Sequence, residues 1–489
     1  MKHSVPDWKG DTIAAIASPP GEGGVGIIRI SGADALPILL RLFFPAGKGK
    51  ISTHRLIHGW IKNPKTKAKI DEVFACYMRA PRTYTGEETV EIYGHGSQPI
   101  MEAILCLVLA AGARLAERGE FTRRAFLSGK MDLAQAEAVI DLVKAKTVEG
   151  AGLALQQLEG RLSGEVKKIK EKIMTVLVGL EALIDFEEEV KTDYCKKSFY
   201  KNPTLKCGES VSRLVRLRKV EKEIEALLAG EQAGKIYRDG VSAVIVGRPN
   251  VGKSSLLNAL LKEERAIVTP EPGTTRDAIE ETINIKGLPV KLVDTAGLRE
   301  TKNHIEIIGI RRAKKEIEAG EILIVVTEAE DGITREEKKL LEENRSKKKL
   351  VVFNKIDKLG KLGKGGEGGP LKGSKMAKEG AGAGVKILRV SALTGEGVDN
   401  LLKAIYNLAV VSDVGNFKNA TLLNARHKSA LLGAREALQK AIVATSGGED
   451  AACVAAEVKE ALVRLGEITG EQVSEAVINQ IFEKFCVGK

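Results

Sequence analysis

The sequence has few cysteines and no long apolar run, and both absences restrict its class. Its 489 residues include six cysteines, with no CxxC pair and no Cys/His cluster, which argues against a zinc site or a disulfide framework. The longest apolar run, 103–113, is too short to cross a bilayer and is typical of a buried helix. The first residues lack the apolar stretch of a signal peptide, so we expect a cytoplasmic protein without membrane association.

Length and charge indicate several domains and leave two interpretations of the basic surplus open. A chain this long exceeds one ordinary core, so two or three domains are expected. Lys and Arg number 76 against 65 Asp and Glu, a formal net charge of +11. That surplus suits a polyanionic partner such as RNA. The charges are also interspersed, and some lie in the Lys/Gly-rich stretch 359–386, so an ordinary solvated surface explains them equally well.

The first part of the chain has the pattern of a compact α+β domain. Short apolar or alternating runs predict strands at 13–18, 25–31, 73–78 and 89–93, and one helix at about 99–111. From about 121 to 230, apolar residues recur at helical spacing, interrupted by the polar, Lys-rich segment 191–210, which predicts a loop or small insertion. Helical spacing returns after 422, including a last helix with Val473, Val477, Ile481 and Phe485 on one face.

Between these helical parts, strands alternate with helices. Apolar runs at 243–246, 290–293, 322–326, 350–353 and 387–390 predict a parallel sheet covered on both faces. The low-complexity stretch 359–386 predicts a surface loop. We therefore predict a multidomain protein: an N-terminal α+β domain (1–118), a discontinuous helical domain (119–238 plus 412–489), and an inserted α/β P-loop GTPase domain (239–411).

A phosphate-binding loop opens the predicted α/β domain. Residues 247–254, GRPNVGKS, match GxxxxGK[ST] between a predicted strand and a predicted helix. The glycines let backbone N–H groups point at phosphates. Lys253 would neutralise charge on the β- and γ-phosphates, and the Ser254 hydroxyl would ligate Mg²⁺.

Further motifs follow at the ends of the predicted strands. Asp294 is the first residue of DTAG, in which Gly297 would face the γ-phosphate. In PGTTRD, the hydroxyls of Thr274 and Thr275 could reach Mg²⁺, and we assign Thr275 as the ligand. In NKID, the Asp357 carboxylate would accept two hydrogen bonds from guanine, a pattern that adenine lacks. The predicted GTP-binding residues are Asn250, Val251, Gly252, Lys253, Ser254, Ser255, Thr269, Pro270, Glu271, Pro272, Gly273, Thr274, Thr275, Asp294, Thr295, Ala296, Gly297, Asn354, Lys355, Asp357, Ser391 and Ala392.

The residue after DTAG raises the question of how the attacking water is oriented. Ras-type GTPases place a glutamine there, but this chain has Leu298, which cannot polarise water. We predict Glu306 and Lys253 as catalytic residues. Taken alone, Glu306 also fits a solvated helix face.

Together these motifs and several others resemble one family over nearly the whole chain. The segments are GVGIIRISG, TGEETVEIYGHG, GEFTRRAFLSGKMDLAQAEAV, GRPNVGKSS, PGTTRD, DTAGLRET, NKID and FCVGK. The sequence is similar to the MnmE (TrmE) family of bacterial tRNA modification GTPases, within the TrmE-Era-EngA-like P-loop GTPases.

The resemblance implies partners and chemistry that the spacing of residues does not. It implies work with the FAD-dependent flavoprotein MnmG (GidA), in a heterotetramer or larger complex, to install an aminomethyl or carboxymethylaminomethyl group at C5 of wobble uridine 34 in certain tRNAs. It also implies a homodimer joined through a folate-binding-like N-terminal domain. The implied cofactors are GTP, Mg²⁺, K⁺ and 5-formyl- or 5,10-methylene-tetrahydrofolate.

The same resemblance assigns residues to two further sites. The implied folate contacts are Arg29, Glu91, Lys130 and Lys489. The implied K⁺ ligands are the Asn250 side chain and backbone oxygens at Thr269, Glu271 and Thr274, with Glu306 orienting water.

Two other classes of GTPase stay open at this point. A ribosome-assembly GTPase would bind RNA without modification chemistry, but such proteins usually carry a second G domain or a KH module, and the sequence contains no second GKS. A purely regulatory switch would need a separate activating protein. Leu298 allows that, whereas Asn250 and Glu306 favour built-in catalysis.

Overall fold

The computed structural model describes residues 10–47, 50–189, 203–263, 280–294, 316–359, 385–410 and 420–489. Two compact units divide the chain. The first comprises residues 1–140, 157–218 and 430–489, and the second comprises 141–156 and 219–429.

The helices of the described residues run through both units. In chain order they are α1 (Ala35–Leu42), α2 (Gln98–Ala110), α3 (Glu120–Leu127), α4 (Leu133–Lys144), α5 (Val148–Leu158), α6 (Arg161–Glu189), α7 (Pro203–Ala229), α8 (Glu231–Asp239), α9 (Lys253–Glu263), α10 (Arg335–Glu343), α11 (Val398–Val410), α12 (Ala425–Gly447), α13 (Ala451–Thr469) and α14 (Glu475–Phe482). The helical patterns predicted between 121 and 230 and after 422 are thereby confirmed. The predicted loop 191–210 is wrong at 203–210, which belong to α7, because the helix begins at Pro203, a residue tolerated in a first turn.

A seven-stranded sheet organises the first unit. Its strands are β1 (Ile13–Ile16), β2 (Gly23–Ser31), β3 (Phe43–Pro45), β4 (Arg55–Lys62), β5 (Lys69–Met78), β6 (Thr89–Gly96) and β7 (Arg114–Leu115), in the order β3-β4-β5-β6-β2-β1-β7. Neighbours are antiparallel except the β1–β7 pair. Helices α1 and α2 pack on one face around buried residues such as Ile28, Val73 and Ile92. The α+β prediction is confirmed here.

Two elements of this unit had no sequence prediction. Helix α1 contains Pro37, which marks a break in a sequence pattern, yet it lies in the first turn, where the missing N–H costs no hydrogen bond. Strand β4 buries only Gly59 and Ile61, so its apolar alternation is weak.

The end of the chain packs into the first unit. Ile481, Phe482 and Phe485 form one core with Leu133 and Ala136 of α4. Val473 and Val477 pack on the same core, so the predicted apolar face is confirmed although α14 itself ends at Phe482. Beyond it, Val487 forms an isolated bridge with Arg118. A Cβ placed on Gly488 would lie 2.4 Å from the Ile16 carbonyl oxygen, so the segment passes directly along the end of β1.

A six-stranded sheet organises the second unit. Its strands are β8 (Val241–Val246), β9 (Glu280–Ile285), β10 (Leu288–Asp294), β11 (Ile322–Glu328), β12 (Lys348–Asn354) and β13 (Lys386–Arg389), in the order β13-β12-β11-β8-β10-β9. Separate apolar clusters cover its two faces. The predicted parallel sheet is confirmed for five strands. The sixth, β9, is antiparallel to β10 and joins it through Lys286 and Gly287, both at positive φ, as two-residue hairpins require.

The described residues can be searched for membrane-spanning helices and for clusters of metal-binding side chains. Within them, every helix is too short or too polar to cross a membrane. The same residues contain no group of three or more His, Cys, Asp or Glu side chains arranged to hold a metal ion.

Candidate nucleotide-binding site

The predicted nucleotide residues gather at one edge of the six-stranded sheet. Parallel strands end at the same edge, and an open α/β sheet binds its ligands there. The loop 247–252 follows β8, Asp294 ends β10, Asn354 ends β12, and Ser391 follows β13. Motifs as far apart in sequence as the loop 247–252 and Ser391 therefore lie at one edge, because the strands that carry them belong to one sheet.

The loop after β8 has a backbone that most side chains would not allow. Gly247 and Gly252 have φ values of 155° and 91°, and Asn250 has φ 66°. A Cβ on Gly247 would lie 2.2 Å from the Val326 carbonyl oxygen, and one on Gly252 would lie 2.3 Å from the Asn354 amide nitrogen. The glycines thus permit the loop to curl tightly against β11 and β12, which turns its N–H groups inward.

Lys253 lies at the centre of this loop. Its ammonium donates hydrogen bonds to the carbonyl oxygens of Gly247 at 3.0 Å and Arg248 at 2.8 Å, and the residue is buried. It is also the first residue of α9, where the helix dipole favours an anion. The position joins a buried cation to a helix N-terminus, a combination that binds phosphate.

Oxygen donors suited to Mg²⁺ stand beside the ammonium. The Ser254 hydroxyl donates to a carboxylate oxygen of Asp294 at 2.9 Å, and Asp294 is only 2% exposed. Hydroxyl and carboxylate oxygens are the ligands that Mg²⁺ takes at phosphate sites. The donor set therefore fits the metal.

Asn354 connects the phosphate end of the site to the base end. Its side-chain nitrogen donates to the Val251 carbonyl oxygen at 2.9 Å, and its side-chain oxygen accepts from the Ala392 N–H at 3.0 Å. The residue is 1% exposed, so both bonds form away from water. One buried amide thereby fixes the loop after β8 relative to the segment after β13.

A cavity of about 550 Å³ adjoins Asn354 on the side away from β10. That volume is in the range of small-molecule sites. Asp357 lines the cavity with an exposed carboxylate, and Ser391 donates to one of its oxygens at 2.5 Å, which orients the group. The lining also includes the predicted residues Gly252, Ser255, Asn354, Lys355 and Ala392 and the residues Asn258, Lys262, Leu393, Thr394 and Gly395, which sequence reasoning missed.

Lys355 crosses the site and contacts an acidic residue that the sequence had not singled out. Its ammonium donates to the Asn250 carbonyl oxygen at 2.5 Å and forms an ion pair with Glu328. The Lys355 hydrogen bond holds the pKa of Glu328 below its ordinary value. Glu328 ends β11, and a polar residue at the carboxyl end of a parallel strand is the signal that could have identified it.

Part of the predicted site lies outside the described residues. This part consists of Thr269, Pro270, Glu271, Pro272, Gly273, Thr274, Thr275, Thr295, Ala296, Gly297 and Glu306. Asn250 is thus the one predicted K⁺ ligand whose position can be stated.

The predicted folate residues lie in the first unit. The Arg29 guanidinium pairs with Glu91 at 2.8 Å and donates to the Gly488 carbonyl oxygen at 3.4 Å, which brings it next to Lys489. It also lies over the ring of Tyr84, 5.5 Å from the centroid. Arginine, carboxylate and C-terminal segment therefore meet on the sheet face opposite α1 and α2.

Tyr93 contacts this cluster, and Lys130 is the fourth predicted folate residue. Tyr93 donates its hydroxyl hydrogen bond to Glu91, and burial together with that carboxylate raises the pKa of Tyr93. Lys130 is exposed beyond α3, near Gly86, and among the described residues it forms no hydrogen bond with Arg29 or Glu91. Arg29, Glu91 and the backbone next to Lys489 therefore lie together.

Known proteins resemble the chain over almost its full length. A family model described as "MnmE helical domain" matches residues 133–486, and one described as "GTP-binding protein TrmE N-terminus" matches residues 12–130. A relative from Thermoanaerobacter pseudethanolicus is 42% identical over 98% of this chain and 99% of its own length. One from Alkaliphilus metalliredigens is 42% identical over 98% and 99%, and one from Heliobacterium modesticaldum 40% over 98% and 100%. All three are named "tRNA modification GTPase MnmE".

Proposed function

Because the chain belongs to the MnmE family of tRNA modification GTPases, we propose that it hydrolyses GTP to drive modification of the wobble uridine in certain tRNAs. The observation that carries the proposal is the loop after β8, fixed by the buried Asn354, in a chain that matches these relatives over almost its full length. The modification is an aminomethyl or carboxymethylaminomethyl group at C5, installed together with the FAD-dependent flavoprotein MnmG. The chain works as a homodimer and joins MnmG in a heterotetramer or larger complex.

Hydrolysis uses groups at the edge of the six-stranded sheet. In the transition state, charge gathers on the γ-phosphoryl oxygens and on the bridge to the β-phosphate. Lys253 stands at the loop centre, where its ammonium faces that charge. Ser254 and Thr275 would ligate Mg²⁺, with Asp294 beside Ser254 reaching it through water, and the ion would supply further positive charge. Glu306 orients the attacking water in place of a glutamine.

A monovalent cation supplements Lys253 in this proposal. Asn250, with Thr269, Glu271 and Thr274, holds K⁺ against the phosphates through neutral oxygens. The described geometry supports this for one residue: Asn250 is at positive φ at the outer end of the loop, and Lys355 fixes its backbone carbonyl. The other three predicted ligands lie outside the described residues.

Base selection lies at the other end of the site. Asp357 accepts two hydrogen bonds from guanine, and Ser391 keeps its carboxylate in position. Ser391 and Ala392 border the guanine, and Asn354 holds this segment in place by accepting the Ala392 N–H.

The N-terminal domain, residues 1–118, supplies the one-carbon unit. It binds 5-formyl- or 5,10-methylene-tetrahydrofolate through Arg29, Glu91, Lys130 and Lys489, with the cations on the folate carboxylates and Glu91 on the pterin. The cluster of Arg29, Glu91 and the segment at Gly488 supports this location. The helical domain, 119–238 plus 412–489, and the G domain inserted at 239–411 complete the proposed organisation.

Mass spectrometry of tRNA nucleosides tests the proposal. In a strain lacking the gene, the C5-modified wobble uridines should disappear, and they should return with the wild-type chain. The Lys253→Ala variant should fail to restore them, while Lys168→Ala, an exposed change on α6, should restore them. Unchanged uridines in the deletion strain, with accumulation of ribosome precursors, would instead favour a ribosome-assembly GTPase.

A further inference from the structure

The sheet of the first unit carries a row of aromatic rings on the face opposite α1 and α2. Phe44 pairs with Trp60 across β3 and β4, and His58 pairs with Phe74 across β4 and β5. The ring centroid of His58 lies 5.6 Å from that of Trp60 and 5.4 Å from that of Phe74. We name these four residues the aromatic face. Their neighbours along each strand, such as Val73, point the other way into the core.

The core does not need these rings. Phe74 is 50% exposed, although a ring of that size would gain about 2 kcal/mol or more from burial. A group of aromatic side chains exposed to solvent on a sheet is typical of a surface that binds a partner. The chemistry of the occupant follows from the charge around the rings.

Positive charge predominates around the aromatic face, where one carboxylate is also present: Glu72 lies opposite Trp60 and bonds to His58 at 2.7 Å. Between Arg55 and Arg82 the sequence has seven Lys and Arg against two Asp and Glu, in a chain whose formal net charge is +11. Two of the ammonium groups lie over the rings themselves: that of Lys69 is 4.5 Å from the Trp60 centroid, and that of Lys62 is 4.7 Å from the Phe44 centroid. An acidic or purely apolar partner surface would not exploit both features, whereas a flexible polyanion with flat rings would.

We propose that the aromatic face binds single-stranded RNA. Bases stack on Trp60 and Phe74, and the ammonium groups of Lys62 and Lys69 move from the rings to the backbone phosphates. Unpaired RNA bases are recognised in this way on exposed sheets, since every base has a flat face and each nucleotide carries one phosphate.

The aromatic face lies next to the predicted folate cluster, which connects RNA binding to the proposed modification. Phe74 lies directly opposite Tyr93 on β6, and the Tyr93 hydroxyl bonds to Glu91. A base stacked on Phe74 is thus one strand away from the residues assigned to the one-carbon donor. This part of the inference rests on the proposed function in tRNA modification, because it takes the RNA to be the loop that carries the wobble uridine.

Fluorescence anisotropy with the full chain and a labelled oligouridine tests the inference. Each of Trp60→Leu and Phe74→Leu should weaken binding by about tenfold or more, because a stacked base is lost. Trp60→Phe keeps a flat ring and should retain most of the affinity. Lys69→Gln should lower the slope of log affinity against log salt by about 0.7, the value for one phosphate contact on a single strand. Leu40→Ala serves as the matched control, since Leu40 is a similarly exposed apolar residue on α1, away from the rings.

Three results would overturn the inference. The first is failure of the wild-type chain to bind oligouridine, and the second is equally strong binding of an RNA duplex of the same length. The third is that Trp60→Leu and Phe74→Leu bind RNA like the wild type but sediment as monomers, which would show that the face joins two copies of the chain. None of these results depends on the nucleoside analysis of the deletion strain. The inference can therefore fail while the proposed function holds.

Discussion

At the scale of single residues, the base-reading carboxylate offers the sharpest test of nucleotide choice. Asp357→Asn replaces two acceptors by one acceptor and one donor, and the new amide N–H can donate to the C2 carbonyl of xanthine. We expect GTP affinity to fall by roughly tenfold to a hundredfold, the effect of about 1–3 kcal/mol for an unpaired polar group, and XTP affinity to rise. Competition binding with both nucleotides measures the change. Equal loss of both nucleotides by a folded variant would show that Asp357 does not read the base.

Several site residues were predictable because their role depends on a local motif at a strand end. Asp294 and Asn354 each close an apolar run, and parallel strands bring such ends together whatever the loops between them do. Glu328 also closes an apolar run and carried the same signal, although its partner Lys355 is near it only in the folded chain. Lys262 carried no such signal, because its role comes from the cavity wall.

At the scale of elements, a buried charge cluster ties α3 to the sheet. Arg124 is 1% exposed and donates to Asp11 at 2.6 Å and to Glu87 at 3.1 Å. Arg114 donates to Glu120 at 2.6 Å. Burial acts to raise the pKa of Glu120, but the Arg114 hydrogen bond and a backbone N–H outweigh it and hold the pKa below its ordinary value.

This cluster predicts how acid affects the first unit. A carboxylate with a depressed pKa stabilises the fold above its unfolded pKa, and the stabilisation is lost as the pH falls through the folded pKa. Glu120→Gln should therefore cost about 1.5–3 kcal/mol at neutral pH, and the gap from the wild type should narrow below about pH 4. Urea unfolding followed by tryptophan fluorescence reports on this region, because Trp60 lies on β4 of its sheet. Glu102→Gln, an exposed change on α2, is the control. If the difference in free energy of unfolding between Glu120→Gln and the wild type does not depend on pH, the charge argument is contradicted.

The segment after α14 is a second element with a testable role. Val487 pairs with Arg118, and Gly488 accepts from Arg29, so removal of residues 487–489 should free that guanidinium and withdraw Lys489. We expect 5-formyltetrahydrofolate binding, measured by calorimetry, to weaken about tenfold or more, the loss typical of one charged hydrogen bond, while GTP affinity stays unchanged. Lys489→Ala should weaken folate binding with the segment still in place. Absence of folate binding by the intact chain would contradict the predicted site.

Some helices and strands could be predicted from their sequence pattern alone, and others could not. Strands β8, β11 and β12 are buried on both faces and appear as continuous apolar runs, which made them predictable. Strand β9 is an edge strand with the sequence EETINI, and only its pairing with β10 makes it a strand. Helix α1 is similar, since its stability comes from burying Ile38 and Leu39 against the sheet rather than from its own sequence.

At the scale of the whole molecule, the proposed cation links catalysis to association of two copies. We expect GTP turnover to be at least about tenfold faster in K⁺ than in Na⁺ at equal ionic strength, because a cation beside the phosphates offsets charge in the transition state. The chains should also associate more strongly in K⁺ with a transition-state mimic, as seen by sedimentation. Asn250→Ala should remove the K⁺ preference and spare GTP binding, since the Lys253 contacts remain.

Glu306→Ala separates the two parts of that prediction. It should slow turnover yet preserve K⁺-dependent association, because its proposed role concerns water only. Identical wild-type rates in K⁺ and Na⁺, or an Asn250→Ala variant that keeps the ion preference, would rule the cation out.

The packing of α4 against the last helix has a consequence for synthesis on the ribosome. Leu133 and Ala136 emerge early, but Phe482 and Phe485, which cover them, follow roughly 350 residues later, a delay on the order of tens of seconds at ~5–20 residues per second. The six-stranded sheet closes from residues 241–389 alone and can form during that interval. The nascent chain therefore carries a folded GTPase domain while α4 still exposes its apolar side, and a chaperone at the exit tunnel has its longest opportunity to bind there.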